Sequence, residues 1–210
     1  MLATLLMASA HLATPVVEEK VSFVHAFEKD KATVYQLALG SEMQGEGDGE
    51  FSLEIKSDLK DGKMKARYVF NKLEIGGMDA ASMFPAVDME LDKHGVPVSA
   101  NEDDPGIISF VTLLLTYLPG DSLKQGDSFE IKLTDKAFGY KAKGTFEKME
   151  ERDGKKYAVL TSKGEMTIQG EEVYSSIKTY YDPETKRVVF AEGEYEVPDD
   201  VFSLEISIKK

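Results

Sequence analysis

Apolar and charged residues alternate along most of this chain, and the alternation predicts strands. In "EFSLEIKSDL", Phe51, Leu53 and Ile55 fall on one side and Ser52, Glu54, Lys56 and Asp58 on the other. "KMKARYVF" gathers Met64, Ala66, Tyr68 and Phe70, "DSFEIKLTD" gathers Phe129, Ile131 and Leu133, and "FSLEISIKK" gathers Phe202, Leu204, Ile206 and Ile208. Successive strand side chains point to opposite faces, so these segments belong to sheets with one buried and one wetted face, which means antiparallel pairing. The turns agree. "KDGK" at 60–63 and "RDGK" at 152–155 each place Asp-Gly between strand patterns, a strong two-residue hairpin signal. "DKHGVP" at 92–97 and "DPETKR" at 182–187 predict slightly longer hairpin loops.

A repeat lies across these turns. "FSLEIKSDLKDGKMKARYVFNKLEIGG" from Phe51 and "GTFEKMEERDGKKYAVLTSKGEMTIQG" from Gly144 both run strand, Asp-Gly-Lys turn, strand and an apolar-x-Ile tail. A further hairpin follows each. We therefore expect two related β-meanders, about 20–100 and 125–197, with a closing strand at 201–209, the whole forming one mainly β domain. Convergent hairpin grammar without duplication would give the same pattern.

One segment breaks the alternation. In "IISFVTLLLTYLPG", nine of the twelve residues before Pro119 are large and apolar. "NEDDP" ahead of it supplies Asp104 as N-cap and Pro105 at the first helical position, and Pro119-Gly120 ends it. At 100° per residue, Ile107, Phe110, Val111, Leu114 and Leu118 share a face, opposite a narrow stripe of Ser109, Thr112 and Thr116. The prediction is a central apolar helix over about 107–118, packed on the concave face of a curved sheet or half-barrel. At ~1.5 Å per residue it would span about 18 Å, short of the ~30 Å hydrocarbon core, so it is no membrane span. A buried strand is the competing assignment. A second, short helix or a loop is expected over 76–84, with Asp79 as its cap.

Length and composition then narrow the function. At 210 residues, with 42% hydrophobic residues, the chain can bury a substantial core. Lys+Arg 25 against Asp+Glu 38 gives a net charge of -13, which argues against nucleic acid and against anionic lipid surfaces. There is no cysteine, so disulfides, thiolate metal sites and cysteine nucleophiles are excluded. "MLATLLMASAHLATPVVEEK" has no charge before Glu18, a short apolar run and Ala8-Ser9-Ala10. It resembles a secretory signal peptide over 1–13, giving a periplasmic or secreted mature protein without lipid attachment.

Two meanders, a central apolar helix and a secretion signal together resemble the bacterial envelope proteins with a lipoprotein-carrier-like half-barrel. "DKHG" at 92–95 followed by "YLPGDSLKQGDSF" at 117–129 also resembles a set of uncharacterised secreted bacterial proteins. The resemblance implies a shape, an antiparallel sheet curled around a helix with an apolar cavity, and an envelope compartment. It carries no catalytic or binding signature onto particular residues here.

Motifs for chemistry are missing. There is no Gly-x-Ser-x-Gly elbow, His-Glu-x-x-His, phosphate loop or dinucleotide fingerprint. Of the three histidines, His11 precedes or sits at the cleavage region, His94 is expected solvated in a turn, and His25 stands alone. The acidic stretches at 44–50, 101–104 and 198–200 are expected to be solvated loops rather than calcium sites, since none has EF-hand spacing. No catalytic residue, metal or cofactor is assigned. Met78, Met83, Phe84, Tyr117 and Phe138 join the aromatic and methionine population around the helix, for which a filled core is the alternative to a cavity.

The expected function is non-enzymatic: binding of a lipid or other apolar molecule between sheet and helix. Phe70, Ile107, Phe110, Val111, Leu114, Leu118 and Phe129 are the expected cavity lining. The alternative is a structural or protein-interaction module of the cell envelope with a filled core.

Overall fold

A computed structural model describes residues 20–26, 28–43, 45–57, 60–92, 94–95, 97–101, 107, 111, 114, 117–134, 139–168, 171–197 and 199–209. The signal segment expected over 1–13, Phe110, Phe138 and part of the predicted helix lie outside the described residues. The alternating segments form strands: β1 (Val21–Ser22), β2 (Ala32–Ser41), β3 (Gly45–Ile55), β4 (Lys63–Ile75), β5 (Met78–Asp79), β6 (Val87–Asp92), β7 (Pro97–Ala100), β8 (Ser122–Leu123), β9 (Ser128–Thr134), β10 (Gly139–Arg152), β11 (Lys155–Ile168), β12 (Glu171–Asp182), β13 (Arg187–Val197) and β14 (Asp200–Ile208). At both Asp-Gly turns the two central residues have positive φ, 52° and 77° at Asp61-Gly62 and 52° and 74° at Asp153-Gly154. That backbone matches strand twist and suits Asp and Gly. The β12–β13 turn is held by Asp182, whose Oδ1 accepts from the backbone N–H of Glu184 and Thr185.

Two meanders join into one antiparallel sheet of 12 strands, ordered β7-β6-β4-β3-β2-β14-β13-β12-β11-β10-β9, with β5 beside β4. The junction is the last strand against the first long one: Leu204 faces Leu39, Ile206 faces Leu37 and Ile208 faces Tyr35. This register keeps the apolar sides of both meanders on one face, whereas a slip of one residue would put them on opposite faces. The sheet does not close into a barrel, since β7 and β9 remain as its two edges. At the β7 edge the strand is short and carries Pro97, which blunts pairing.

The apolar face is curved. Flat, β4 and β10 would lie seven strand spacings apart, roughly 34 Å at ~4.8 Å each. Yet the Tyr117 ring lies tilted 5.4 Å from that of Tyr140 of β10 and also close enough to Tyr68 of β4 to add to the pKa rise that burial gives it. One continuous core therefore runs from Met89 and Leu91 of β6, through Phe51, Tyr68 and Leu73, to Tyr195, Tyr140 and Ile131. A second cluster fills the other end of the second meander with Phe23, Leu118, Phe146, Leu160, Tyr181 and Val188.

Ile107, Val111 and Leu114 have helical backbone, and the residues between them lie outside the described ones, so no helix is delineated there. The predicted end at 118 needs correction. Tyr117, Leu118 and Pro119 are not helical: the N–H of Leu118 donates to the His94 carbonyl at 3.2 Å and that of Gly120 to Phe23 at 3.0 Å, so they bond to neighbouring segments instead of to the preceding turn. Covering the concave face is also shared. Val21–Phe23 leaves the first meander, pairs through β1 with β8, and seals the second cluster, with Phe23 against Phe146 and Tyr181 at 5.2 Å each. The Tyr181 hydroxyl donates toward the carbonyls of Ser22 and Val24 at 2.9 and 2.8 Å.

Three smaller expectations change. The Gly-Glu-Gly-Asp-Gly stretch is no loop but the start of β3; a Cβ at Gly47 would come within 2.6 Å of the Glu74 carbonyl oxygen and one at Gly49 within 2.9 Å of the Lys72 carbonyl oxygen. Residues 81–83 form a 3-10 turn in which Ala81 N–H donates to Asp79 Oδ1 at 3.0 Å, and Met78 and Met83 are exposed instead of facing the core. His94 is not simply solvated: its ring occupies the place a Cβ of Gly120 would take, which ties the β6–β7 hairpin to the 118–120 segment.

Candidate functional site

The residues expected to line an apolar cavity are distributed over two clusters. Phe70, Val111 and Leu114 lie in the larger core, with Ile107 packed against it half-buried; Leu118 belongs to the second cluster, and half-buried Phe129 touches both. Phe129 lies across Gly144 of the neighbouring strand. Val111 is 1%, Leu114 3% and Leu118 0% accessible. These three side chains are thus almost wholly packed against other protein atoms.

The interior is nevertheless not purely hydrocarbon. Tyr35, Tyr68, Tyr117, Tyr140 and Tyr195 are all buried on the concave face. Burial pushes the Tyr35 pKa up to about 12 and raises the other four as well, because the phenolate would lose its hydration. The Tyr68 hydroxyl is fully enclosed and, among the described residues, has no hydrogen-bond partner.

A concave feature of about 1130 Å³ lies elsewhere, on the second meander. It is lined by three consecutive residues on each of six strands: 128–130 of β9, 143–145 of β10, 161–163 of β11, 176–178 of β12, 192–194 of β13 and 203–205 of β14. The middle residues, Phe129, Gly144, Ser162, Ile177, Gly193 and Leu204, form one cross-strand row and point toward the buried side. Their flanking neighbours point the opposite way. Residues that would wall an inward cavity along the same row, such as Phe146, Leu160, Tyr195 and Ile206, do not line it. The feature is therefore a trough on the outer, polar face, crossing the strands over roughly 24 Å at ~4.8 Å per strand.

Two ladders of polar side chains wall the trough. One runs Glu130, Lys143, Lys163, Ser176, Glu194, Ser203; the other runs Ser128, Thr145, Thr161, Lys178, Glu192, Glu205. Lysines occupy β10, β11 and β12 in succession, and glutamates occupy β13 and β14. Lys143 pairs with Glu130 at 3.6 Å and Lys178 with Glu192 at 3.1 Å. Hydrogen bonding to Tyr180 and Glu192 raises the Lys178 pKa. Tyr180 itself is buried on this outer face beneath Arg152, whose guanidinium stands 3.9 Å from the ring centroid. Beside it, Glu150 is drawn down to about pKa 2 by hydrogen bonds from Lys148 and Arg152. Among the described residues, Lys163, Glu194 and Glu205 form no ion pair. Two like-charged pairs face each other directly across strands, Lys143 with Lys163 and Glu192 with Glu205. Such pairs cost stability.

Sequence reasoning missed this trough. Its walls are the polar half of the alternation, which within each strand looks like an ordinary solvated face. Only the register of six strands brings Lys163, Glu194 and Glu205 together. Among the described residues no group of His, Asp and Glu could hold a metal, and no helix is long and apolar enough to cross a membrane.

The fold is a mainly antiparallel β, curved and open sheet. No protein-family model matches the chain, and no curated protein is significantly similar to it. Among solved structures, it is similar to the hypothetical lipoprotein YmcC from Escherichia coli K12, at 10% identity over 84% of this chain and 86% of that one, with a TM-score of 0.33. A protein from Bacteroides fragilis NCTC 9343 with a YmcC-like fold matches at 11% identity over 90% of this chain and 100% of that one, with a TM-score of 0.37.

Proposed function

We propose that this protein is a non-enzymatic, exported binding module of the cell envelope that receives a partner in the outer trough of its second meander. The observation carrying this reading is a trough of about 1130 Å³ that retains unpaired charges of both signs, on a sheet whose opposite face buries Val111, Leu114 and Leu118. In this reading a helix that ends before Tyr117 helps to cover the concave face, supported by helical backbone at Ile107, Val111 and Leu114 and by the burial of the last two. A photo-crosslinking side chain placed at Ser176, inside the trough, is expected to yield a discrete adduct in cells. The same group at Ser52, on the outer face of the first meander, is expected to yield none. Adducts at both positions or at neither would remove the proposal.

The second reading is an apolar ligand between the sheet and residues 107–118. It draws on the enclosed Tyr68 hydroxyl, which lacks a partner that a ligand's polar group would supply. Organic extraction of the purified protein followed by mass spectrometry separates the two. A stoichiometric lipid would favour this second reading, and its absence the first.

A further inference from the structure

Resting on the trough as binding site, we infer that its occupant is an extended peptide segment carrying an acidic group at one end and basic groups at the other. Among the described residues, three charges of the trough are left without an ion pair. Lys163 of β11 and Glu194 of β13 stand in the same cross-strand row two strands apart, so their attachment points are roughly 10 Å apart at ~4.8 Å per strand. Glu205 of β14 lies one strand further, roughly 14 Å from β11. An extended chain advances ~3.3 Å per residue, so an acidic and a basic side chain about three or four residues apart reach from Lys163 to the glutamates of β13 and β14.

The polarity excludes simpler occupants. A purely cationic chain would be drawn to a protein of net charge -13 without discrimination and would meet Lys143, Lys163 and Lys178 at one end. A purely anionic chain would meet the glutamates of β13 and β14 at the other. A free amino acid carries its two charges on adjacent carbons and cannot reach across. A segment with separated charges satisfies Lys163 and Glu194 together and relieves the facing like charges. The hydroxyls of Thr145, Thr161, Ser176 and Ser203 between them can hydrogen-bond its backbone. A trough crossing the strands suits side-chain recognition better than strand addition, which needs a free sheet edge.

Fluorescence anisotropy on the full chain tests this with three labelled peptides of about twelve residues. One has a glutamate run and a lysine run separated by Gly-Ser; the others are all-glutamate and all-lysine. The two-block peptide is expected to bind tightest, and Lys163→Glu and Glu194→Lys are each expected to weaken it about fivefold. The triple swap of Lys163→Glu, Glu194→Lys and Glu205→Lys is expected to restore binding, since the peptide can lie in the reverse direction; a misfolded variant would not recover. If the all-lysine peptide binds as tightly and only Glu194→Lys weakens it, the polarity is overturned while the trough stands as the site. If no peptide binds, or neither variant alters binding, both the polarity and the trough reading are overturned.

Discussion

Raising the pH above about 10 is expected to unfold this protein from its interior, through tyrosines. Tyr35 has its pKa pushed up to about 12 by burial, against ~10 for a tyrosine in an unfolded chain. A phenol with a raised folded-state value keeps its proton longer in the folded protein than in the unfolded one. Its stabilising contribution is therefore complete below pH ~10 and is lost progressively between pH ~10 and ~12. Two units correspond to about 3 kcal/mol from Tyr35 alone, at ~1.36 kcal/mol per unit. Tyr68, Tyr117, Tyr140 and Tyr195 are raised in the same direction by the same burial. Against a total stability of ~5–15 kcal/mol, ionising two or three of them is enough to abolish folding. Far-ultraviolet circular dichroism and tyrosinate absorbance, followed together from neutral to strongly alkaline pH, provide the assay. The interior phenols are expected to ionise in step with a cooperative loss of strand signal. If they ionise near pH 10 while the strand signal persists, water reaches them in the folded state. The concave face would then hold a solvent-filled space, and the closed-interior argument would fail.

Three substitutions probe the same structure by urea or thermal denaturation. Tyr68→Phe removes a buried hydroxyl that has no partner, so it is expected to raise stability by about 1 kcal/mol; a loss of that size would mean the hydroxyl is hydrogen-bonded in solution. Gly144→Ala places a methyl where the Phe129 ring lies and 2.6 Å from the Thr161 carbonyl oxygen, which belongs to a fixed ladder. A loss of about 1–3 kcal/mol is expected, and an unchanged midpoint would show that Phe129 does not cover this glycine. Glu205→Lys replaces a like pair with Glu192 by an opposite one and is expected to raise the thermal midpoint by up to about 2–4 °C, reflecting ~0.2–1 kcal/mol; a lower midpoint would contradict the pairing.

The strands were legible because each carries its own period: Phe51, Leu53 and Ile55, or Phe202, Leu204 and Ile206, need no partner to declare a face. The Asp-Gly turns were legible because positive φ at two successive residues restricts chemistry locally. What escaped depends on contacts distant in the chain. Phe23 reads as part of a first strand, but its place is fixed by Asp121, Gly120 and Tyr181, some hundred residues and more away. The glycines of β3 look like loop residues until the Glu74 and Lys72 carbonyls of β4 are seen to lie where a Cβ would go. The end of the 107–118 segment was misplaced because the His94 and Phe23 carbonyls compete for N–H groups that a helix would have used. For the aromatic lining, residue type alone could not separate a cavity from a packed core.

Both meanders pair some outer charges across strands and set others against a like charge, as Asp48 faces Glu74 on the first; what sets the second apart is that its unpaired charges line a trough. On the first, opposite charges meet across strands: Lys72 with Asp48 at 2.6 Å, Lys63 with Glu90 and Arg67 with Asp88 at 3.8 Å each. On the second, Lys143 and Glu130, and Lys178 and Glu192, pair likewise, but among the described residues Lys163, Glu194 and Glu205 form no ion pair, although a change of residue at any one of them would not disturb the inward side chains of its strand. Outer positions on a sheet are the least constrained by the core, so their charges can be rearranged at little structural cost. A local arrangement that gives up stability without serving the fold is where a binding role is to be sought. Stability and recognition should then oppose each other at Glu205: Glu205→Lys, which strengthens the sheet, should weaken capture of a two-block peptide. A variant that gained both would show that the facing glutamates are a surface accident and that the trough has no part in binding.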